Sequence, residues 1–183
     1  MEPRAHQRIL VAKRHAVLET LGPDGLALVG SFLPEETRRE TLDAALISET
    51  WVPERWILDW HEAEWKALGE DRDKFLQFCD AVVDQGFGRV RRVLIKLVTP
   101  GLMAARAAEL WRDEHDSGRL EVTVEKNCVE LLLLDHPYVR SSLVGLVMAE
   151  SMRYAGSLSA RASNVTASHE IQGDALFVAL RWS

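Results

Sequence analysis

Cysteine is scarce in this chain of 183 residues: Cys79 and Cys128 are the two present, and neither has a second thiol or a histidine at metal-ligand spacing. That pattern argues against a structural zinc site and a disulfide framework, and the expectation is free thiols in a reducing cytoplasm with no metal. Basic charge is also short. With 22 Lys and Arg against 28 Asp and Glu, the net charge of −6 has the wrong sign for displacing counterions from a nucleic acid. No run approaches the ~18 apolar residues that span a bilayer, and the stretch from Met1 to Arg8 lacks the apolar core of a signal peptide. Catalytic signatures are missing as well. There is no Gly-x-Ser-x-Gly elbow, no His-Glu-x-x-His and no phosphate loop, and Gly86 with Gly88 lacks the third glycine and the preceding strand of a dinucleotide fingerprint. Asp135 and His136 are adjacent and point apart in an extended chain, so capping of the next helix is their expected role. An enzyme is not expected.

What is present is an ordinary globular balance, 47% apolar and 27% charged, in a length suited to one domain, residues 1–183. Helical spacing of Ile9, Leu10, Ala12, Ala16 and Val17 predicts a helix over residues 5–19, stopped by Gly22 and Pro23. Further helices are expected over 26–33, 35–47, from Pro53 to about Gly69, over 74–98 as one long helix or as two divided at Gly86 to Gly88, and over 102–115 behind Thr99 as cap. The basic run from Arg89 to Lys96 reads as the solvated face of an amphipathic helix. The period then changes from helical to alternating. Residues 119–125 and 128–134 predict a hairpin, Pro137 to about Ala155 a helix, and residues 157–166 and 175–182 two more strands around the turn at Gly173. The fold class is therefore α+β: a helical part, 1–118, followed by a β-β-α-β-β part, 119–183, with a four-stranded antiparallel sheet.

Four of the six tryptophans fall between Trp51 and Trp65. On a helical wheel Trp56, Trp60, Ala63 and Ala67 form one stripe, the pattern of a core face, while Leu58 and Trp65 lie opposite and mark a candidate subunit contact. In the last helix Glu150 falls among Val139, Leu143 and Leu146, flanked by Arg153 and Tyr154. A carboxylate there requires a partner, and the simplest is an ion pair with Arg153 reaching water at the helix end. The functional alternative makes Trp56, Trp60, Glu150, Arg153 and Tyr154 the contacts of a small apolar ligand between the helices and the sheet. Gly145, four residues before Ala149, permits close approach of another backbone.

The order of Val11 to Gly22, Phe32-Leu33-Pro34, Trp51-Val52-Pro53, Pro100-Gly101-Leu102, Leu110-Trp111, Ser117 to Val122 and Phe177 to Trp182 resembles a family of uncharacterised myxobacterial proteins. That family is similar in its closing β-β-α-β-β unit to haem nitric-oxide-binding domains, vinyl-reductase-like ligand domains and vesicle-tethering subunits. The resemblance implies a ligand binder, sensor or scaffold. Haem-binding relatives carry Tyr-x-Ser-x-Arg after the second strand, whereas this chain has Tyr138-Val139-Arg140-Ser141-Ser142, with the propionate clamp out of order. His61 and His115 are the candidates for an axial ligand. The wheel turns His61 away from the tryptophan stripe, and His115 reads as a helix end in solvent, so no haem and no other cofactor is expected. The expectation is a non-enzymatic cytoplasmic regulatory or protein-interaction module, homodimeric, with a metal-free sensor of an apolar small molecule as the alternative.

Overall fold

The computed structural model describes residues 2–46, 50–95 and 98–183, with residues 87–95 described by backbone alone. Its contacts fall into two compact units, Met1–Gly86 and Phe87–Ser183. Among the described residues the fold is mixed α+β, with six α-helices ahead of a four-stranded antiparallel sheet. Among the described residues, no helix is long and apolar enough to cross a membrane.

In the first unit, β1 (Arg4–His6) pairs antiparallel with β2 (Trp51–Pro53), His6 opposite Trp51. Helix α1 (Arg8–Phe32) is two helical segments joined at Gly22, whose φ of 70° lies in the left-handed region. Pro23 follows with no N–H to donate, so the expected stop is present as a kink. Helix α2 (Glu35–Arg38) passes into a π-helical turn (Arg39–Asp43) and ends before the expected position 47, which itself lies outside the described residues. Pro53 sits immediately before α3 (Glu54–Ala67). Leu10, Ala16 and Val17 of α1 meet Ile57, Trp60 and Ala63 of α3 in one buried core. The stripe on α3 is turned from the expected one: Ile57 is 6% exposed, and Trp56 is half-buried at its margin.

Helix α4 (Arg72–Ile95) continues through Gly86 and Gly88 as one helix, the first of the two expected arrangements. The face of the basic run from Arg89 to Lys96 lies outside the described side chains.

The second unit joins α5 (Pro100–Ala104) and α6 (Ala107–Glu114) to the sheet. Thr99 caps α5, its hydroxyl accepting the Leu102 N–H at 3.2 Å. Strands β3 (Arg119–Val124) and β4 (Cys128–Leu134) form the expected hairpin, and the sheet order is β3-β4-β6-β5. Alternation sets its inner face: Val129, Leu131 and Leu133 on β4, and Leu176, Val178 and Leu180 on β6, are at most 1% exposed. Helix α7 spans Ser142–Ser157, and its cap is Ser141, which accepts the Val144 N–H at 3.3 Å. Asp135 therefore does not cap it, and residues 137–140 form a turn instead. Strand β5 is Thr166–Gln172 rather than 157–166, and it pairs with β6 (Ala175–Arg181). The displacement has a physical cause: α7 ends at Ser157, two residues later than expected, and Ser163 is tied by its backbone to Ser183 at 2.9 Å in both directions.

Candidate functional site

Both units bury polar groups. In the first, Lys13 occupies the core stripe of α1 and Glu64 that of α3. Lys13 Nζ donates to Glu64 Oε2 at 2.5 Å and lies 2.9 Å from His61 Nδ1. Both ion-pair side chains are 2% exposed and His61 is 12% exposed. Burial pushes the Glu64 carboxyl up against the pull of Lys13, while burial and the Lys13 charge hold His61 well below its ordinary value. His61 is thus a neutral acceptor for the ammonium. Glu64 Oε1 is buried with no hydrogen-bond partner. The cluster crosses from α1 to α3, and with so little exposure its chemistry is that of a buried structural ion pair.

Trp60, fully buried, donates from Nε1 to Thr41 Oγ1 at 2.8 Å, and Thr41 donates onward to the Thr37 carbonyl at 2.6 Å. Thr37 donates in turn to Asp59 Oδ2 at 2.5 Å. Trp56 has its Nε1 buried without a partner. Leu58 and Trp65 are half-buried, and Trp65 packs edge-on against buried Phe75 with ring centroids 5.2 Å apart. Their side of α3 is therefore partly covered within the chain.

In the second unit, Glu150 is paired with Arg153, Nε at 2.8 Å and Nη2 at 2.7 Å from the same carboxylate oxygen. The wet helix end expected for this pair is not found: the Glu150 side chain is only 9% exposed, and Arg153 is 31% exposed. Tyr154 is half-buried on the same helix. Trp56 and Trp60 thus share α3, and Glu150, Arg153 and Tyr154 share α7, in separate units. Gly145 makes its close approach within the chain. A Cβ there would stand 2.5 Å from the His169 ring of β5 and 3.1 Å from Leu176 of β6.

A second polar cluster in this unit escaped the sequence reading. His115, at the end of α6, stacks on Trp111 with centroids 3.9 Å apart and planes within 10°. His136 meets Trp111 edge-on at 5.3 Å, His115 at 6.0 Å and Tyr138 at 5.8 Å. Trp111 Nε1 donates to the Ser117 carbonyl at 3.0 Å. His115 is therefore half-buried among rings rather than in solvent. The signal was the hairpin register: Arg119 pairs with Leu134, so the segments flanking the hairpin, which carry His115 and His136, leave it side by side.

No protein-family model matches the chain, and no curated protein matches it in sequence. Solved structures do. A structure from work on H-NOX activation superposes with a TM-score of 0.67 at 10% identity, covering 100% of this chain and 97% of its own. The fold is that of the H-NOX domains. An oxygen-binding H-NOX domain related to soluble guanylate cyclases gives 0.63 at 10% identity, over 97% and 95% of the two chains. The Fe(II) unliganded H-NOX protein from K. algicida gives 0.60 at 10% identity, over 97% and 96%.

The residues of this chain do not fit the haem that the H-NOX fold implies. Of the histidines on helices, His15 is exposed and His61 faces the Lys13 ammonium. His115 has one ring face filled by Trp111. Arg140, the guanidinium nearest the displaced clamp motif, is 73% exposed and pairs with Asp174 on the β5–β6 turn. Neither an imidazole facing a flat slot nor a buried propionate clamp is assembled from these groups.

Proposed function

We propose that the chain is a non-enzymatic regulatory module that uses the H-NOX fold without haem. The observation that carries this reading is the end-to-end correspondence with H-NOX domains, combined with a charged cluster and stacked rings at the histidines an iron would need. Membership of the myxobacterial family, a cytoplasmic setting and self-association as a homodimer belong to the same proposal. A protein partner would receive the output.

The test is to express the chain with excess haem precursor, record its absorption spectrum and weigh the purified protein by native mass spectrometry. The expected outcome is no Soret band and a dimer without bound small molecule. A Soret band at one haem per chain would overturn the reading. A co-purifying apolar molecule at stoichiometric amount would replace it with the second one, a metal-free sensor, for which the buried Glu150 and Arg153 pair with Tyr154 supplies polar contacts.

A further inference from the structure

We propose that His115 and His136 bind a divalent transition-metal ion of the zinc class in the second unit, independently of the haem-free reading above. A ring nitrogen of each lies within 4.8 Å of the other. Two imidazoles on one tetrahedral zinc, with Zn–N distances of about 2.0–2.1 Å, hold their nitrogens about 3.3 Å apart. Small side-chain rotations close that difference.

The backbone brings the two rings together and keeps them there. The register of β3 and β4 sets the two flanking segments side by side, and Gly118, with φ of 75°, is the contact point. A Cβ on Gly118 would stand 2.8 Å from the His136 Cβ, so this approach needs glycine. Trp111 fixes the His115 ring by stacking, and its own orientation is fixed by the bond to the Ser117 carbonyl. An imidazole that has given electron density to a metal is a better partner for an indole face than a neutral one.

Two further groups suit a cation with open coordination positions. Ser117 Oγ is buried without a hydrogen-bond partner, a hydroxyl available to a metal-bound water. Asp113, Glu114 and Asp116 flank His115 in the chain and lower the electrostatic cost of positive charge. Imidazole nitrogen is a donor suited to zinc, copper and nickel rather than to magnesium or calcium.

The Tyr138 N–H donates to His136 Nδ1 at 3.3 Å, so the ion would be taken through Nε2 in exchange for that nitrogen's present contacts. Binding then displaces the Nε2 proton, and the ring proton moves to Nδ1 at the expense of that long contact. With two protein donors and this cost, the affinity expected is about micromolar, well short of a closed four-ligand site.

The test is titration of the purified full chain with Zn²⁺ by calorimetry, with the histidine ring resonances followed by NMR. One ion per chain is expected, moving the His115 and His136 signals and leaving those of exposed His15 in place. His115→Ala and His136→Asn should each weaken binding at least about tenfold, with His15→Ala neutral. Should His136→Asn fail to fold by circular dichroism, His115→Ala at the half-buried helix end decides alone. The proposal is overturned if Zn²⁺ at about 100 μM does not bind, or if it binds a folded His115→Ala variant as it binds the wild type.

Discussion

Lys13 and Glu64 join α1 to α3 through a 2.5 Å ion pair whose two side chains are almost wholly withdrawn from solvent. Removing one charge strands the other, so Glu64→Ala should cost about 3–5 kcal/mol in urea unfolding. Replacing both, as Lys13→Met with Glu64→Leu, should recover most of that loss. A single substitution costing less than about 1 kcal/mol would mean that the charges reach water.

His61 gives the first unit an acid-sensitive element. Its folded pKa is held well below the ordinary 6.5 by burial and by Lys13. Below pH 6.5 the unfolded chain therefore binds a proton that the folded chain refuses, and stability present above that pH is lost as pH falls. The slope approaches about 1.4 kcal/mol per pH unit for one proton. Glu64, with its pKa raised by burial, acts in the opposite sense above 4.5, so the comparison must be differential. His61→Asn keeps an acceptor for Lys13 and should flatten the thermal midpoint between about pH 6.5 and pH 5 relative to wild type. Parallel profiles would assign the acid loss to another group.

Trp60 and Trp56 separate by burial. Trp60→Ala empties a fully buried site and breaks the bond to Thr41, so it should cost about 3–5 kcal/mol. Trp56→Ala should cost clearly less, because its ring lies at the core margin. Equal losses in denaturant would place both indoles in the core stripe.

Gly145 admits no side chain without moving the ring of His169. Gly145→Ala should destabilise by about 1–3 kcal/mol through overpacking. The double variant with His169→Ala should regain part of this loss, a non-additivity that a double-mutant cycle reads directly. Strict additivity would show that the strain falls elsewhere, Leu176 being the other neighbour at 3.1 Å.

The elements most legible in the sequence were those with local signals: alternation in Arg119 to Leu134, Pro53 before α3, Thr99 as a cap, and Gly22 with Pro23 as a stop. The β1–β2 ribbon was not legible, since three residues near His6 acquire strand character only from a distant Trp51. β5 was misplaced because Thr166 to Gln172 is mostly polar and carries little apolar alternation. In the candidate sites the sign was there and unread. Lys13 shares a helical face with Leu10, Ala16 and Val17, and Glu64 shares one with Ile57 and Trp60, so each is a charge at a core position. His115 and His136 needed the hairpin register, which joins residues that no helical or CxxC spacing connects.

The strand order β3-β4-β6-β5 also orders assembly in time. Both outer pairings, β3 with β4 and β5 with β6, are hairpins with short turns that close at little entropic cost. The central pairing of β4 with β6 joins strands separated by the whole of α7 and β5, a much larger loop. Folding of this unit is therefore expected to pass through preformed hairpins, with the zipping of Leu131 and Leu133 against Val178 and Leu176 as the slow step. Truncating these residues, or weakening the preformed β5–β6 hairpin, should lower the folding rate.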